Sequence, residues 1–304
     1  MANRREFLVK FTMAASAATI LKPLHAFAEF GATHSVSNIN TLTLLHTANL
    51  QGQWQALGIN EKLYGLGGLE NLCKRISKIK SDVPSSLVVH SGDIVSTTTS
   101  EKDAIAFYTK MTKAGYSAVV PGRTDLKKGT THFAQLAKKS GLPAIDTEVE
   151  KTGNSLLPYQ IVTKGNVQTA VVQVPFFKNT FSSAESLIKT GAFLRETKNC
   201  NLIIGIVQNT EQKCVELASL SYGIDVLFST AENALMHNTK IVHNKNCEEA
   251  IVSFAGQKGT MMSRIDLAFD AEGNKIAFAS SPIFIGAGKE TYSTVLKRYN
   301  YLYA

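Results

Sequence analysis

Short apolar runs alternate with amphipathic segments from about residue 41 onward, and this alternation restricts the chain to sheets covered by helices. The strand-like runs are residues 42–46, 87–90, 118–120, 169–174, 202–207 and 226–228. Helical patterns fill the gaps at 66–80, 103–114, 132–139, 184–196 and 211–219. In the first of these, Leu69, Leu72, Cys73, Ile76 and Ile79 fall on one stripe while Lys74, Lys78 and Lys80 face outward. After residue 240 the helical patterns stop. Residues 251–255, 262–269 and 275–279 read as consecutive strands, with Asp270-Ala271-Glu272-Gly273-Asn274 as a hairpin connection. An α/β body that ends in antiparallel strands predicts two packed mixed sheets flanked by helices. No repeat, low-complexity tract or interior linker divides it, so residues 41–304 are expected to form a single domain.

The opening 28 residues are read differently. Asn3-Arg4-Arg5-Glu6-Phe7-Leu8 resembles the twin-arginine word of Tat signal peptides. A weakly apolar stretch of about eleven residues follows, too short for a bilayer, which needs about 20. Lys22-Pro23 and the small-residue site Ala26-Phe27-Ala28 complete the pattern. Residues 1–28 are therefore expected to be a Tat signal peptide and 29–40 a linker, which makes the protein exported and periplasmic. No later segment has the length and apolarity of a membrane span.

The formal charge of +8 falls when that peptide is set aside, leaving 28 basic against 23 acidic residues. Lys and Arg are scattered, so no nucleic-acid partner is implied. None of Cys73, Cys200, Cys214 and Cys247 stands in a C-x-x-C pair, which excludes zinc-ribbon and thioredoxin readings. Cys73 lies on the apolar stripe of a helix. Spacing does not decide whether any of Cys200, Cys214 and Cys247 form a disulfide, and a protein folded in the reducing cytoplasm before export has little need of one.

Six short segments then appear in order. They are Leu42-Thr43-Leu44-Leu45-His46-Thr47-Ala48-Asn49-Leu50-Gln51-Gly52, then Gly67-Gly68-Leu69, Ser91-Gly92-Asp93, and the stretch from Gly115 to Gly129 that holds Gly122-Arg123-Thr124-Asp125. Ile224-Asp225-Val226 and Arg264-Ile265-Asp266-Leu267 follow. Together they resemble the signature words of the calcineurin-like metallophosphoesterases, above all the catalytic domain of bacterial 5'-nucleotidases, over residues 41–285. The resemblance implies a four-layer α/β sandwich. It also implies a site at the strand ends, where two metal ions about 3.5–4 Å apart clamp a phosphate ester and activate water. At an effective dielectric near 20 two such dications repel by roughly 16 kcal/mol, so the site requires carboxylates and imidazoles around them.

Mapped through the resemblance, the seven ligand positions hold Asn49, Gln51, Asp93, Arg123, Gln208, Ala231 and Asn233, and the second-sphere histidine position holds Thr124. Only Asp93 keeps its type. Carboxamides are weak ligands for transition metals, and Arg123 brings a fixed cation to a cation site. No catalytic residue, metal or cofactor is expected; the alternative is a divalent metal at reduced stoichiometry. His34, His46, His90, His132, His237 and His243 show no ligand spacing, and His46 and His90 read as structural. Ser91 and Ser96 have no evident base partner. Trp54 and Tyr64 flank the first site loop, as core packing or as an aromatic lid. Asp93 is expected to pair with Arg123; the alternative is that Arg123 turns to solvent and Asp93 bonds only to backbone N–H groups. No stretch after residue 285 is long enough for the second domain of many 5'-nucleotidases. The reading is a non-catalytic pseudoenzyme that binds an unknown small ligand or protein partner. The alternatives are a divergent metal-dependent phosphoesterase or nucleotidase and a structural subunit.

Overall fold

The computed structural model describes residues 39–286 except 60, 62, 148–152, 154, 175–178 and 231–238. Its first helix, α1 (Leu69–Asp82), starts three residues later than the apolar pattern suggests. Gly68, its N-cap, has φ 82° and ψ 142°, outside the helical region. A Cβ there would lie 2.3 Å from the backbone carbon of Gln55, so the chain can enter α1 only through glycine. The buried stripe of α1 is the one anticipated: Leu69, Leu72, Cys73, Ile76 and Ile79.

Among the described residues four further helices follow: α2 (Glu101–Ala114), α3 (Thr130–Ser140), α4 (Thr180–Glu196) and α5 (Glu211–Leu220). Ser100, Asn179 and Thr210 cap α2, α4 and α5, each accepting a backbone N–H of the first turn. Gly115 and Gly141, both in the left-handed region, end α2 and α3.

Two mixed sheets lie between the helices. The first contains β1 (Asn40–Ala48), β2 (Ser86–Ser91), β3 (Ala118–Val120), β10 (Met261–Phe269) and β11 (Lys275–Phe284), in the order β11-β10-β1-β2-β3. β1, β2 and β3 are parallel, and β10 runs antiparallel to β1. The second contains β4 (Tyr159–Lys164), β5 (Val167–Gln173), β6 (Leu202–Val207), β7 (Val226–Ser229), β8 (Thr239–His243) and β9 (Glu249–Phe254), in the order β4-β5-β6-β7-β9-β8. β5, β6, β7 and β9 are parallel; β4 and β8 are antiparallel edges. The expected run of consecutive terminal strands is thus divided. β9 joins the second sheet, while β10 and β11 complete the first around the Asp270–Asn274 turn.

Three apolar layers give the four-layer sandwich. Leu45, Val88 and Val119 face α1, α2 and α3 through Ile76, Phe107 and Phe133. Leu42, Leu44, Val89, Ile204, Phe228 and Ile265 fill the space between the sheets. Val172, Ile203 and Val252 face α4 and α5 through Leu187 and Leu217. One buried ion pair interrupts the hydrophobic interior. Arg264 and Asp266, each 2 % exposed, bond Nε to Oδ2 at 2.8 Å, and Thr43 Oγ1 donates to the same carboxylate.

Candidate functional site

The parallel strands of both sheets deliver their C-terminal ends to one face. Asn49 and Gln51 follow β1, Gly92 and Asp93 follow β2, Gly122 to Asp125 follow β3, and Gln208 follows β6. Backbone hydrogen bonds join these loops directly. The Asn49 N–H donates to the Gly92 carbonyl at 3.1 Å, Gln51 N–H to the Asp93 carbonyl at 2.9 Å, and Gly52 N–H to the Ile94 carbonyl at 2.8 Å. The Asn49 carbonyl in turn accepts from Lys258 N–H at 2.7 Å. Asn49, Gln51 and Asp93 all sit in the left-handed backbone region, with φ of 46°, 51° and 52°. Asn and Asp tolerate that region; Gln there costs roughly 1–2 kcal/mol. Strain of this kind gathers at sites whose surroundings over-determine them.

Asn49, Gln51, Asp93, Thr124 and Gln208 are therefore brought to one face. Ala231 and Asn233 lie outside the described residues. The expected Asp93–Arg123 pair is not among the ion pairs of the described residues. Asp93 Oδ1 instead accepts from the Thr124 N–H and the Thr124 hydroxyl, both at 2.9 Å, while Arg123 is exposed. The physical reason is local: the turn after Gly122 points the Thr124 N–H at Asp93, and the hydroxyl on the same residue follows it. The Gln208 carboxamide lies over Gly92, and its Nε2 donates to the Pro121 carbonyl at 3.3 Å. Asn49 is 4 % exposed, and its Oδ1 is buried without a partner among the described residues.

Three features at and beneath this face are visible only in the structure. Asp125, three residues beyond Gly122, is a buried clamp. Its carboxylate accepts the N–H groups of Ile94 and Val95 at 3.1 Å and of Gly122 at 2.8 Å, tying the β2 loop to the β3 loop. Burial pushes its pKa up to about 7, the three N–H donors pull it back, and the Asp93 charge raises it further. A short acidic residue inside a glycine-led turn was the available signal.

The second feature is a hydrogen-bond chain beneath the face. His90 Nε2 lies 3.1 Å from the Gly92 carbonyl, which can only accept, so that nitrogen carries the proton. Nδ1 then accepts from the Thr47 hydroxyl at 2.8 Å, and Thr47 accepts from the Tyr116 hydroxyl at 3.0 Å. Burial lowers the His90 pKa to about 3, in keeping with this neutral tautomer. His90 is structural, as anticipated.

The third feature corrects the reading of Ser91. Its hydroxyl has a histidine partner, His46 Nε2, whose ring stacks on Phe228 at 4.3 Å. Both residues are fully buried between the sheets, out of reach of a substrate. Trp54 packs edge-on against Phe107 and belongs to the core, whereas Tyr64 is 54 % exposed.

A cavity of about 650 Å³ lies at the opposite end of the second sheet, lined by residues that include Arg195, Asp225, Glu248 and Cys247. Several of its polar groups are already engaged: Arg195 bonds Asp225 at 2.7 Å within the lining, and Glu248 accepts from Asn244 outside it at 2.9 Å. All four cysteines are free thiols, so no disulfide forms among Cys200, Cys214 and Cys247. Among the described residues, no helix is long and apolar enough to cross a membrane.

No protein-family profile matches the sequence. Over 153 residues, 49 % of this chain, it is 28 % identical to the trifunctional nucleotide phosphoesterase protein YfkN of Bacillus subtilis, and the match spans 10 % of that protein. Among solved structures, the calcineurin-like phosphoesterase YfkN from Bacillus subtilis superposes with a TM-score of 0.64 at 17 % identity, covering 88 % of this chain and 97 % of that one. The 5'-nucleotidase precursor from Thermus thermophilus gives 0.69 at 16 % identity, covering 87 % of this chain and 59 % of that one. This chain thus spans less than two thirds of that nucleotidase. With two mixed sheets between helices and the loops of one sheet end crossing as described, the chain has the calcineurin-like metallophosphoesterase fold of the 5'-nucleotidases.

Proposed function

We propose that this is an exported protein that keeps the metallophosphoesterase fold without its two-metal chemistry, and that it acts by binding a small ligand or a protein partner through the face at the strand ends. The observation that carries this reading is the state of Asp93. It is the one carboxylate among the mapped ligand positions, and its Oδ1 is engaged by two donors of Thr124.

The residues present do not fit a dication pair. Asn49, Gln51 and Gln208 offer neutral carboxamides, and the Gln208 amide is bonded to Pro121. Among the described residues, no three His, Cys, Asp or Glu side chains are grouped so as to hold a metal. A neutral donor set with one carboxylate leaves most of the repulsion between two dications uncompensated. The left-handed backbone at Gln51 supports a binding role, because strain there persists although no metal ligand set requires it.

In this reading residues 1–28 direct export through the Tat route and residues 41–304 form the single binding domain. The test is metal analysis of the purified mature protein, calorimetry with manganese and zinc, and turnover assays on nucleotides and a generic phosphodiester. The expected result is metal affinity no tighter than that of a surface histidine and no turnover. Two bound equivalents with turnover would return the protein to the enzymes.

A further inference from the structure

The two sheets meet at the site face where one side chain of the second sheet lies directly on a glycine of the first. Gln208 extends from the end of β6 in the second sheet and lies on Gly92, at the end of β2 in the first. A Cβ built on Gly92 would be 1.3 Å from Gln208 Nε2, 2.4 Å from its Cδ and 2.9 Å from its Oε1. The carboxamide therefore occupies the volume that any other residue at position 92 would fill. From there Nε2 donates to the Pro121 carbonyl, beyond β3. One side chain of the second sheet thus touches the ends of two strands of the first.

Gly92 is itself anchored from three sides. Its N–H donates to the Val120 carbonyl at 2.8 Å, and its carbonyl accepts from Asn49 N–H and from His90 Nε2, each at 3.1 Å. What rests on Gly92 is consequently coupled to the loops after β1, β2 and β3 together. The resemblance places metal ions between these same loops, where ions bridging several strand ends would hold them in register. In this chain the bridging is done by the protein's own atoms.

We propose that Gln208 is a latch that joins the two sheets across this face, taking over the cross-linking that a metal pair would supply and closing the space such a pair would need. The proposal rests on the loss of the metal site argued above. It makes Gln208 a positioning residue: with the amide in place, the β1, β2 and β3 loops keep their spacing without a cation. A dication could enter only after the carboxamide swings off Gly92.

Amide hydrogen exchange read by NMR on the whole mature protein tests this. In the Gln208→Ala variant, the Asn49 and Gly92 amides are expected to exchange about tenfold faster than in wild type, the population shift of a latch worth about 1.4 kcal/mol. The Leu72 amide, inside α1, is expected to stay unchanged. Gln208→Glu keeps the length and shape but cannot donate to Pro121, and an intermediate acceleration is expected, so the test survives if the alanine variant folds poorly. Manganese or a chelator added to wild type should leave both amides within twofold. Unchanged exchange at Asn49 and Gly92 in both variants would overturn the latch. Slowing of these amides by manganese in wild type would overturn instead the reading that the metal site is lost, whatever Gln208 does.

Discussion

Two fully buried groups near the site face titrate in opposite senses, and their opposition can be exposed by a single substitution. Burial holds the His90 pKa near 3, against an ordinary value of 6.5. Between those values the unfolded chain binds a proton that the native protein does not, so His90 stabilises the fold less and less as pH falls. Asp125 runs the other way. Its pKa is raised to about 7 from 3.8, so between those values the native protein holds a proton that the unfolded chain has released. Stability from Asp125 therefore grows as pH falls through 7. From about pH 6.5 to 4 the two proton counts cancel, and together they contribute almost no slope in wild type. Asp125→Asn removes one side of the balance. The remaining His90 effect should lower stability by up to about 1.4 kcal/mol for each pH unit, or about 2 kcal/mol between pH 6.5 and 4.5. Urea unfolding at half-unit steps of pH, expressed as variant minus wild type, isolates the lost Asp125 contribution, because His90 and the other titrating groups are common to both; this difference should grow more unfavourable to the variant as pH falls from 6.5 to 4.5. A difference that stays level across the range would refute the raised titration of Asp125, and with it the balance against His90.

Three further outcomes are expected. Gly92→Ala should destabilise by about 1–2 kcal/mol for its left-handed backbone and more for displacing the Gln208 amide, and Gln208→Ala in the same chain should remove the second part; strict additivity in the double-mutant cycle would count against the contact. Arg264→Met leaves the Asp266 carboxylate without its guanidinium in the core and should cost about 3–5 kcal/mol, whereas the Arg264→Met, Asp266→Leu pair should recover most of it in thermal unfolding. Replacing Arg4 and Arg5 together by lysine should hold the precursor in the cytoplasm, and undiminished export in a fractionation experiment would remove the Tat assignment.

Local periodicity carried most of the secondary structure. The stripe on α1 and the buried runs of β2 and β6 are visible in sequence because every contact that buries them falls on one helix face or one continuous strand. β4 and β8 were not visible. They are edges, β4 has no fully buried residue and β8 has one, so neither shows a clean apolar pattern. The Gly165-Asn166 turn between β4 and β5 was the signal that could have revealed the first of them.

The residue types at the candidate site were equally readable: carboxamides, an alanine and an arginine stand where the resemblance requires metal ligands, and a threonine where it requires a second-sphere histidine. That exclusion needs only chemistry, since the charge and donor type of a side chain are the same in any fold. Which atoms meet is another matter. Thr124, and not Arg123, holds Asp93 because the turn after Gly122 aims a backbone N–H at the carboxylate, and a bond made by the main chain restrains no long side chain. The separation of β9 from β10 into different sheets, the seating of Gln208 on Gly92 and the clamp at Asp125 all join residues distant in sequence. Side-chain chemistry and short-range periodicity belong to the sequence alone. These long-range pairings exist only once the packing of two sheets has brought the strand ends together, because no local segment contains both partners.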